Sequence, residues 1–233
     1  MRTVMNAAGR LLADVLDLAL PLTCVGCAQP GEAWCRRCLP VAQCSITEHG
    51  ELTVSAAQEY QGITRTALLA YKERGHRQLA PALADLLAAA VAASLKRQFG
   101  RAAADIRPLL VPVPSTRAAA RVRGGDHLLR LTIRAARQTA AEVARPLCVG
   151  AAVADSAGLS EKQRVANLTG QLTARPPADP RWAGRPALLV DDIVTTGATL
   201  NEASRALGDA GWQVIGAAVI AATRRRFPAT RRT

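Results

Sequence analysis

Two adjacent carboxylates, followed by a turn of small and hydroxyl-bearing residues, form the most informative motif in the sequence. Asp191 and Asp192 follow the apolar run 187–190, and a segment rich in threonine comes next. This pattern predicts a buried strand, a tight turn and the start of a helix, where unpaired N–H groups and the helix dipole favour a bound phosphate. Glycine in the turn permits a positive φ. The candidate phosphate-binding residues are Thr195, Thr196, Gly197, Ala198 and Thr199.

Four cysteines near the N-terminus have the spacing of a metal site. They form two CxxC pairs, and a CxxC turn directs two thiolates at one point, which suits the tetrahedral coordination of zinc. Four protein ligands would leave no open position, so the zinc would be structural. The alternatives are two disulfides, which a reducing compartment disfavours, and a redox motif, which needs only one CxxC. The predicted ligands are Cys24, Cys27, Cys35 and Cys38, whereas Cys44 and Cys148 are predicted to be buried apolar side chains.

Predicted strands alternate with predicted helices along most of the chain, which favours an α/β fold with a parallel sheet. In such sheets ligands bind at the carboxyl ends of the strands, where the acidic motif lies. Residues 154–184 have weak periodicity and are predicted to form a long loop, a kind of segment that is often functional. We predict strands at 51–60, 108–113, 147–153, 187–190 and 212–221, and helices at 62–73, 78–99, 121–145 and 200–210.

Length and composition exclude some classes of protein. Its 233 residues are 49% hydrophobic and 21% charged, which excludes a wholly disordered chain, and no apolar run reaches the roughly 18 residues of a membrane span. Asp14 and Asp17 interrupt the N-terminal apolar stretch, which predicts a short amphipathic helix rather than an export signal and hence a cytoplasmic protein. We divide the chain into an N-terminal helix and zinc element at 1–45, an α/β domain at 46–223 and a basic tail at 224–233.

The segment 187–200 resembles the PRPP-binding motif of type I phosphoribosyltransferases, and it contains neither the GxxxxGK[ST] nor the GxGxxG pattern of other phosphate loops. With further segments in the same order, the chain from about residue 18 to 222 resembles the ComF family of competence-associated phosphoribosyltransferase-like proteins. The resemblance implies a four-cysteine zinc element before a type I phosphoribosyltransferase domain. The supporting segments are the CxxC pairs, Tyr60-Gln61-Gly62, Tyr71-Lys72, 111–114, 123–127, 158–160, Arg164 and Asn167.

The same resemblance implies an activity and roles for individual residues. The activity is Mg²⁺-dependent transfer of phosphoribosyl from PRPP to a nitrogen acceptor, with release of pyrophosphate. Asp191 and Asp192 would hold the ribose hydroxyls, and residues 195–199 would hold the 5′-phosphate. The loop 112–117 would bind pyrophosphate, and residues 154–172 would form a mobile flap that excludes water. The further candidates are Ser115 and Thr116 in the first of these loops and Arg164 in the flap.

Two positions depart from the family pattern, so we expect acceptor handling to differ. The family usually has Arg-Gly-Phe-Asn-Gln where this chain has Arg123-Gly124-Gly125-Asp126-His127, and it usually has Gln near Ser156. For three single residues, an interpretation without a role in binding or catalysis stands next to the functional one. Arg164 is as well explained as a solvated loop charge. Lys72 is expected to be an exposed helix lysine, and His127 to be structural, since a lone histidine is a weak base without a partner.

A different class of function is a DNA-uptake or DNA-processing factor that keeps the fold without turnover. The net charge of +12, the arginines between residues 121 and 137 and the tail 224–233 favour a polyanionic partner such as DNA. The resemblance to the ComF family implies competence proteins as further partners. A solvated arginine face and GC-rich coding explain the same charges. The acidic pair distinguishes the two classes, because carboxylates beside a phosphate loop repel DNA phosphates. Neither the acceptor base nor the oligomeric state can be inferred from the sequence.

Overall fold

A six-stranded sheet forms the centre of the protein. The computed structural model describes residues 22–114, 125–149, 170 and 172–223. The sheet strands are β1 (Ser45–His49), β2 (Leu52–Glu59), β3 (Leu109–Pro112), β4 (Glu142–Val143), β7 (Pro186–Val194) and β8 (Gln213–Ala222). A separate antiparallel ribbon contains β5 (Leu147–Val149) and β6 (Leu172–Ala174). The α-helices in the described residues are α1 (Gly62–Glu73), α2 (Ala80–Phe99), α3 (His127–Gln138) and α4 (Ala198–Asp209).

The strand order of the sheet is β1-β2-β8-β7-β3-β4. Every neighbouring pair is parallel except β1 and β2, which form an antiparallel hairpin at one edge. The predicted α/β fold with a parallel sheet flanked by helices is therefore confirmed. Because β2, β8, β7 and β3 run in the same direction, their carboxyl ends share one edge of the sheet, and this edge carries the acidic motif.

Alternate residues of β7 supply the two faces of the core. Leu188 and Val190 pack with buried side chains of α1, α2 and α3, whereas Ala187 and Leu189 pack with buried side chains of α4. A strand covered on both faces is apolar at every position, which explains the unbroken run before the acids. The helical stretch Arg77–Ala104, which contains α2, is long and apolar enough to cross a membrane by length and composition, but more than half of that apolar window is buried inside the protein.

Two predicted boundaries are wrong, each because a distant strand overrides local periodicity. The predicted helix 121–145 includes α3, which ends at Gln138, and Ala140 then adopts a positive φ of 49°. The chain continues into β4, where pairing with β3 outweighs the helical pattern of the arginines. The predicted loop 154–184 contains β6, whose three residues pair with β5 and are too few to leave a periodic signal.

The acidic strand also extends beyond its predicted end. β7 continues to Val194 because Asp191 and Ile193 stay in register with Val219 and Ala221 of β8. Both acids therefore lie inside the strand, not after it. The predicted N-terminal helix, most of the predicted flap and the basic tail lie outside the described residues. The division of the chain near residue 45 stays a prediction.

Candidate functional site

The strand places its two carboxylates on opposite faces of the sheet, since successive side chains of a strand alternate. Asp192 lies on the face of Leu188 and Val190, which α1, α2 and α3 cover, and only 5% of it is exposed. Asp191 is half-buried and lies on the face covered by α4. Asp192 is therefore part of the buried interior, because the strand continues past it.

Asp192 is held by side chains from two helices. Lys72 Nζ of α1 lies 2.7 Å from Asp192 Oδ2, and His127 Nε2 of α3 lies 3.1 Å from the same oxygen. Tyr71 adds a link between these helices, because its hydroxyl donates to the carbonyl oxygen of His127 at 3.1 Å. The expectations of an exposed Lys72 and a partnerless His127 are both wrong. The Lys72 side chain is 24% exposed, because α1 packs over the end of β7.

The two carboxyl groups have opposite pKa shifts. Burial, followed by the negative charge of Asp192, raises the pKa of Asp191 above its ordinary value. Burial alone would also raise the pKa of Asp192, but the hydrogen bond from His127 and the charge of Lys72 outweigh it and lower that pKa. Asp192 is therefore the permanently ionised member of the pair, and Asp191 is the member that is costly to ionise.

Asparagine substitutions at these two positions should change ligand-free stability in opposite directions. At pH 7.5, Asp191→Asn should raise the melting temperature, because a carboxyl whose pKa is raised in the folded state destabilises that state increasingly as pH rises above the lower pKa of the unfolded chain. This gain should shrink as pH falls. Asp192→Asn should lower the melting temperature, since Lys72 and His127 lose an ionised acceptor, at a cost of about 1–3 kcal/mol. Thermal denaturation of the two variants in parallel measures both signs, and equal signs would contradict this assignment.

The segment after β7 forms the predicted turn into a helix. Gly197 has a φ of 84° and precedes α4, whose first residue is Ala198. Thr196 Oγ1 accepts from the N–H of Ala198 at 3.3 Å, while the backbone and side-chain N–H groups of Asn201 donate to the carbonyl oxygen of Gly197. Thr195 and Thr196 are exposed, so this turn presents hydroxyls and the N-terminus of α4 to solvent.

A buried histidine that the sequence analysis did not identify packs against this turn. His49, at the end of β1, is 3% exposed, and its Nδ1 lies 3.1 Å from the carbonyl oxygen of Thr196. Its Nε2 lies 3.2 Å from Thr47 Oγ1. A Cβ atom added at Gly197 would lie 2.6 Å from His49 Nδ1 and 2.7 Å from its Cβ. Gly197 is therefore required both by its φ and by the imidazole packed against it.

A basic cleft lies at the carboxyl end of β3, where the predicted pyrophosphate loop begins. Its volume is about 260 Å³. Arg145 and Arg175, both exposed, bring positive charge to it from the same end of the β5–β6 ribbon, where Leu147 pairs with Ala174. Ser115, Thr116, Arg164 and Ser156 lie outside the described residues, so their predicted roles stay predictions. The lining residues are Pro112, Pro114, Asp126, Arg145, Leu147 and Arg175.

The four N-terminal cysteines converge. Their sulfur atoms all lie within 4.8 Å of one another, and Cys27 Sγ and Cys35 Sγ are 3.7 Å apart. Zinc–sulfur bonds of about 2.3 Å in a tetrahedron require sulfur separations of about 3.8 Å, so the set fits zinc. The same element packs against α1, since a Cβ at Gly26 would collide with Ile63 Cδ1.

The protonation of the four thiols also fits a cation. Burial opposes ionisation of Cys24, but backbone N–H groups outweigh it and lower its pKa to about 6. The thiol of Cys38 has a pKa raised to about 12, first by its hydrogen bond with Cys35 and then by burial. Four thiolates cannot share so small a volume without a positive charge among them, which zinc supplies. Cys44 is exposed and Cys148 half-buried, so the prediction that both are buried is wrong. Cys44 precedes an edge strand open to solvent, and Cys148 lies in the two-stranded β5–β6 ribbon.

Comparison with known proteins agrees with the acidic motif. Residues 129–230 match the family described as phosphoribosyl transferase domain, which spans most of α3, all of β7, the glycine turn and α4. This part of the chain is thus similar to a phosphoribosyltransferase domain, while the cysteine element, β1, β2 and α1 lie before the match. No curated protein sequence is significantly similar to the chain.

Several solved phosphoribosyltransferases are loosely similar in structure. A Staphylococcus aureus hypoxanthine phosphoribosyltransferase is 13% identical, with a TM-score of 0.35 over 65% of this chain and 68% of that one. An adenine phosphoribosyltransferase is 12% identical, with a TM-score of 0.37 over 77% and 84%. The L. donovani hypoxanthine-guanine enzyme is 17% identical, with a TM-score of 0.34 over 62% and 66%. Superpositions this loose place no substrate or site residue on this chain.

Proposed function

We propose that this protein is a phosphoribosyltransferase of the ComF type, which transfers phosphoribosyl from PRPP to a nitrogen acceptor and releases pyrophosphate. One observation carries the proposal. Within a phosphoribosyltransferase domain, a carboxylate pair at the carboxyl end of β7 leads directly into a left-handed glycine turn that opens α4. Carboxylates accept hydrogen bonds from ribose hydroxyls, and the turn offers donors to a 5′-phosphate a few residues away.

The reaction requires negative charge near the ribose C1 and positive charge near the departing pyrophosphate. As the C1–O bond breaks, its electrons leave with pyrophosphate and C1 becomes cationic. The carboxylates of Asp191 and Asp192 stabilise that positive charge. The acceptor nitrogen then forms the C1–N bond and loses a proton to solvent. Arg145 and Arg175, in the basic cleft at the end of β3, would supply positive charge for the departing pyrophosphate. The predicted Ser115, Thr116 and Arg164 would complete its binding.

Magnesium and zinc would have separate tasks. Mg²⁺ would enter with the pyrophosphate of PRPP, and hard carboxylate oxygens at the end of β7 are suited to balance its charge. When bound with PRPP, the metal would supply positive charge to the leaving group. Zinc, held by the four cysteines, would be structural, because four thiolates complete its coordination. Its element packs against Ile63 of α1, and Lys72 of the same helix reaches the acidic pair.

The DNA-binding alternative rests on the family resemblance and on positive charge, part of which lies on α3. Arg134 and Arg137 of α3 are exposed, which a DNA-binding face and a solvated helix face explain equally. The buried Asp192 does not fit a protein that only binds DNA, since a buried ionised carboxylate opposes a phosphate nearby. We therefore keep the transferase as the proposed function.

Pyrophosphate release tests this proposal. The full chain would be incubated with PRPP, Mg²⁺ and a panel of nucleobases and other nitrogen acceptors, and pyrophosphate would be measured with and without each acceptor. We expect acceptor-dependent release by the wild type and at least a hundredfold less by Asp191→Asn/Asp192→Asn, because both charges that face the ribosyl cation are gone. The same rate in wild type and variant would contradict the proposal.

A further inference from the structure

We propose that Lys72 and His127 are positioning residues for PRPP binding, which hold Asp192 ionised and in one orientation so that the ribose meets a preset carboxylate. This inference rests on the proposed function, because it assigns a task within the same site. Three elements meet at one oxygen atom: α1 through Lys72, α3 through His127 and β7 through Asp192.

The burial of this cluster makes its pairing necessary. The side chains of Asp192 and His127 are 7% and 10% exposed, so a lone carboxylate there would lack most of its hydration. Removing one partner of a buried ion pair leaves an uncompensated charge, which is costly and is relieved by protonation or rotation of the remaining group. Either change would remove the acceptor that a ribose hydroxyl requires.

The two donors approach the same carboxylate oxygen of Asp192, which determines which oxygen atoms stay available to a ligand. Lys72 and His127 both contact Oδ2 of Asp192. His127 Nδ1 is buried and has no hydrogen-bond partner in the described part of the chain, which is consistent with the tautomer that donates through Nε2. Oδ1 of Asp192 and the carboxylate of Asp191 are then the acceptors for ribose, while Oδ2 is kept for the two positioning side chains.

The helices themselves are fixed against each other. Tyr71 precedes Lys72, its hydroxyl donates to the backbone of His127, and the rings of Tyr71 and His127 pack edge to face with centroids 6.2 Å apart. Lys72 lies in the last turn of α1, where the negative end of the helix dipole favours a cation. The lysine is thus held at the sheet edge by contacts that do not involve a substrate.

The test compares PRPP affinity of Lys72→Met and Lys72→Arg by isothermal titration at fixed Mg²⁺. Methionine keeps the length of the side chain without its charge, whereas arginine keeps the charge. We expect Lys72→Met to bind PRPP at least about tenfold more weakly than wild type and Lys72→Arg within about threefold of it, as expected for a hydrogen bond to a charged group. Lys96→Met, which removes an exposed lysine of α2, is the matched control and should bind like wild type.

The results of the titrations can overturn the positioning role alone or the proposed function as well. Equal or tighter binding by Lys72→Met overturns the positioning role, since it would mean that the lysine competes with PRPP for Asp192. Absence of PRPP binding by the wild type overturns the proposed function and this inference together. Ligand-free melting curves are recorded first. If Lys72→Met does not fold, Lys72→Gln takes its place, and binding equal to that of Lys72→Arg overturns the proposal.

Discussion

Gly197→Val is expected to abolish the response of the protein to PRPP and to destabilise the ligand-free fold. A branched residue at a φ of 84° costs about 1–2 kcal/mol. Its Cβ would also lie within 2.8 Å of three His49 atoms, and overpacking at a buried site costs about 1–3 kcal/mol more. His49 is buried, so the turn must move instead, and its N–H groups move with it. Thermal denaturation with and without PRPP and Mg²⁺ measures both effects.

Gly184→Val separates backbone strain from the collision. Gly184 also has a positive φ, of 72°, but a Cβ there would meet no atom within 4 Å. It precedes β7 at the amino end of that strand, whereas the Gly197 turn follows the carboxyl end. This control should lose stability from strain alone and keep its response to PRPP. If Gly197→Val responds to PRPP as strongly as Gly184→Val does, the turn does not bind the phosphate.

Loss of a cysteine ligand should remove zinc and destabilise the whole protein. Cys24 is buried, and its sulfur accepts from the N–H groups of Gly26 and Cys35 at 3.4 Å each. Cys24→Ser should lower zinc content from one per chain to less than a tenth. It should also cost about 3 kcal/mol or more, since structural zinc contributes directly to folding. At this chain length, that loss lowers the melting temperature by roughly 6–12 °C.

Cys44→Ser is the control for the zinc prediction. Cys44 is exposed and lies outside the group of four converging sulfurs. Its substitution should change neither zinc content nor melting temperature by more than experimental error. Metal analysis of protein purified without chelator gives the zinc content of all three proteins. A wild type without zinc, or a Cys24→Ser variant with full zinc, would contradict the structural site.

Local structure could be predicted where all the residues that determine it lie in one contiguous segment. The apolar run, the acids and the glycine turn are contiguous, so β7, the turn and α4 could be predicted together, and the CxxC spacing brought four sulfurs together. The sequence predicts that the two acids follow the strand, because a charged residue normally ends a buried apolar run. Here pairing with β8 continues through Asp191 and Ile193.

Contacts between distant elements left no signal in the sequence. Lys72 lies 120 positions from Asp192, and a lysine in the last turn of a helix is solvated in most proteins. Likewise, β1 is a five-residue edge strand whose first three residues are largely open to solvent, so its pattern does not indicate that His49 is buried against the Gly197 turn. Such pairings depend on how α1 and the β1–β2 hairpin pack on the sheet, which local periodicity does not encode.

The most direct test of the account is the PRPP-induced change in melting temperature, measured for wild type and Asp191→Asn/Asp192→Asn at matched Mg²⁺. At a PRPP concentration of about a hundred times Kd, binding to the native state alone stabilises by about 2.7 kcal/mol, which is roughly 5–10 °C here. Asp105→Asn, an exposed acid outside the site, controls for the loss of charge. The account predicts the full increase in wild type and control and little or none in the double variant. The same increase in all three proteins, or none in wild type, would contradict it.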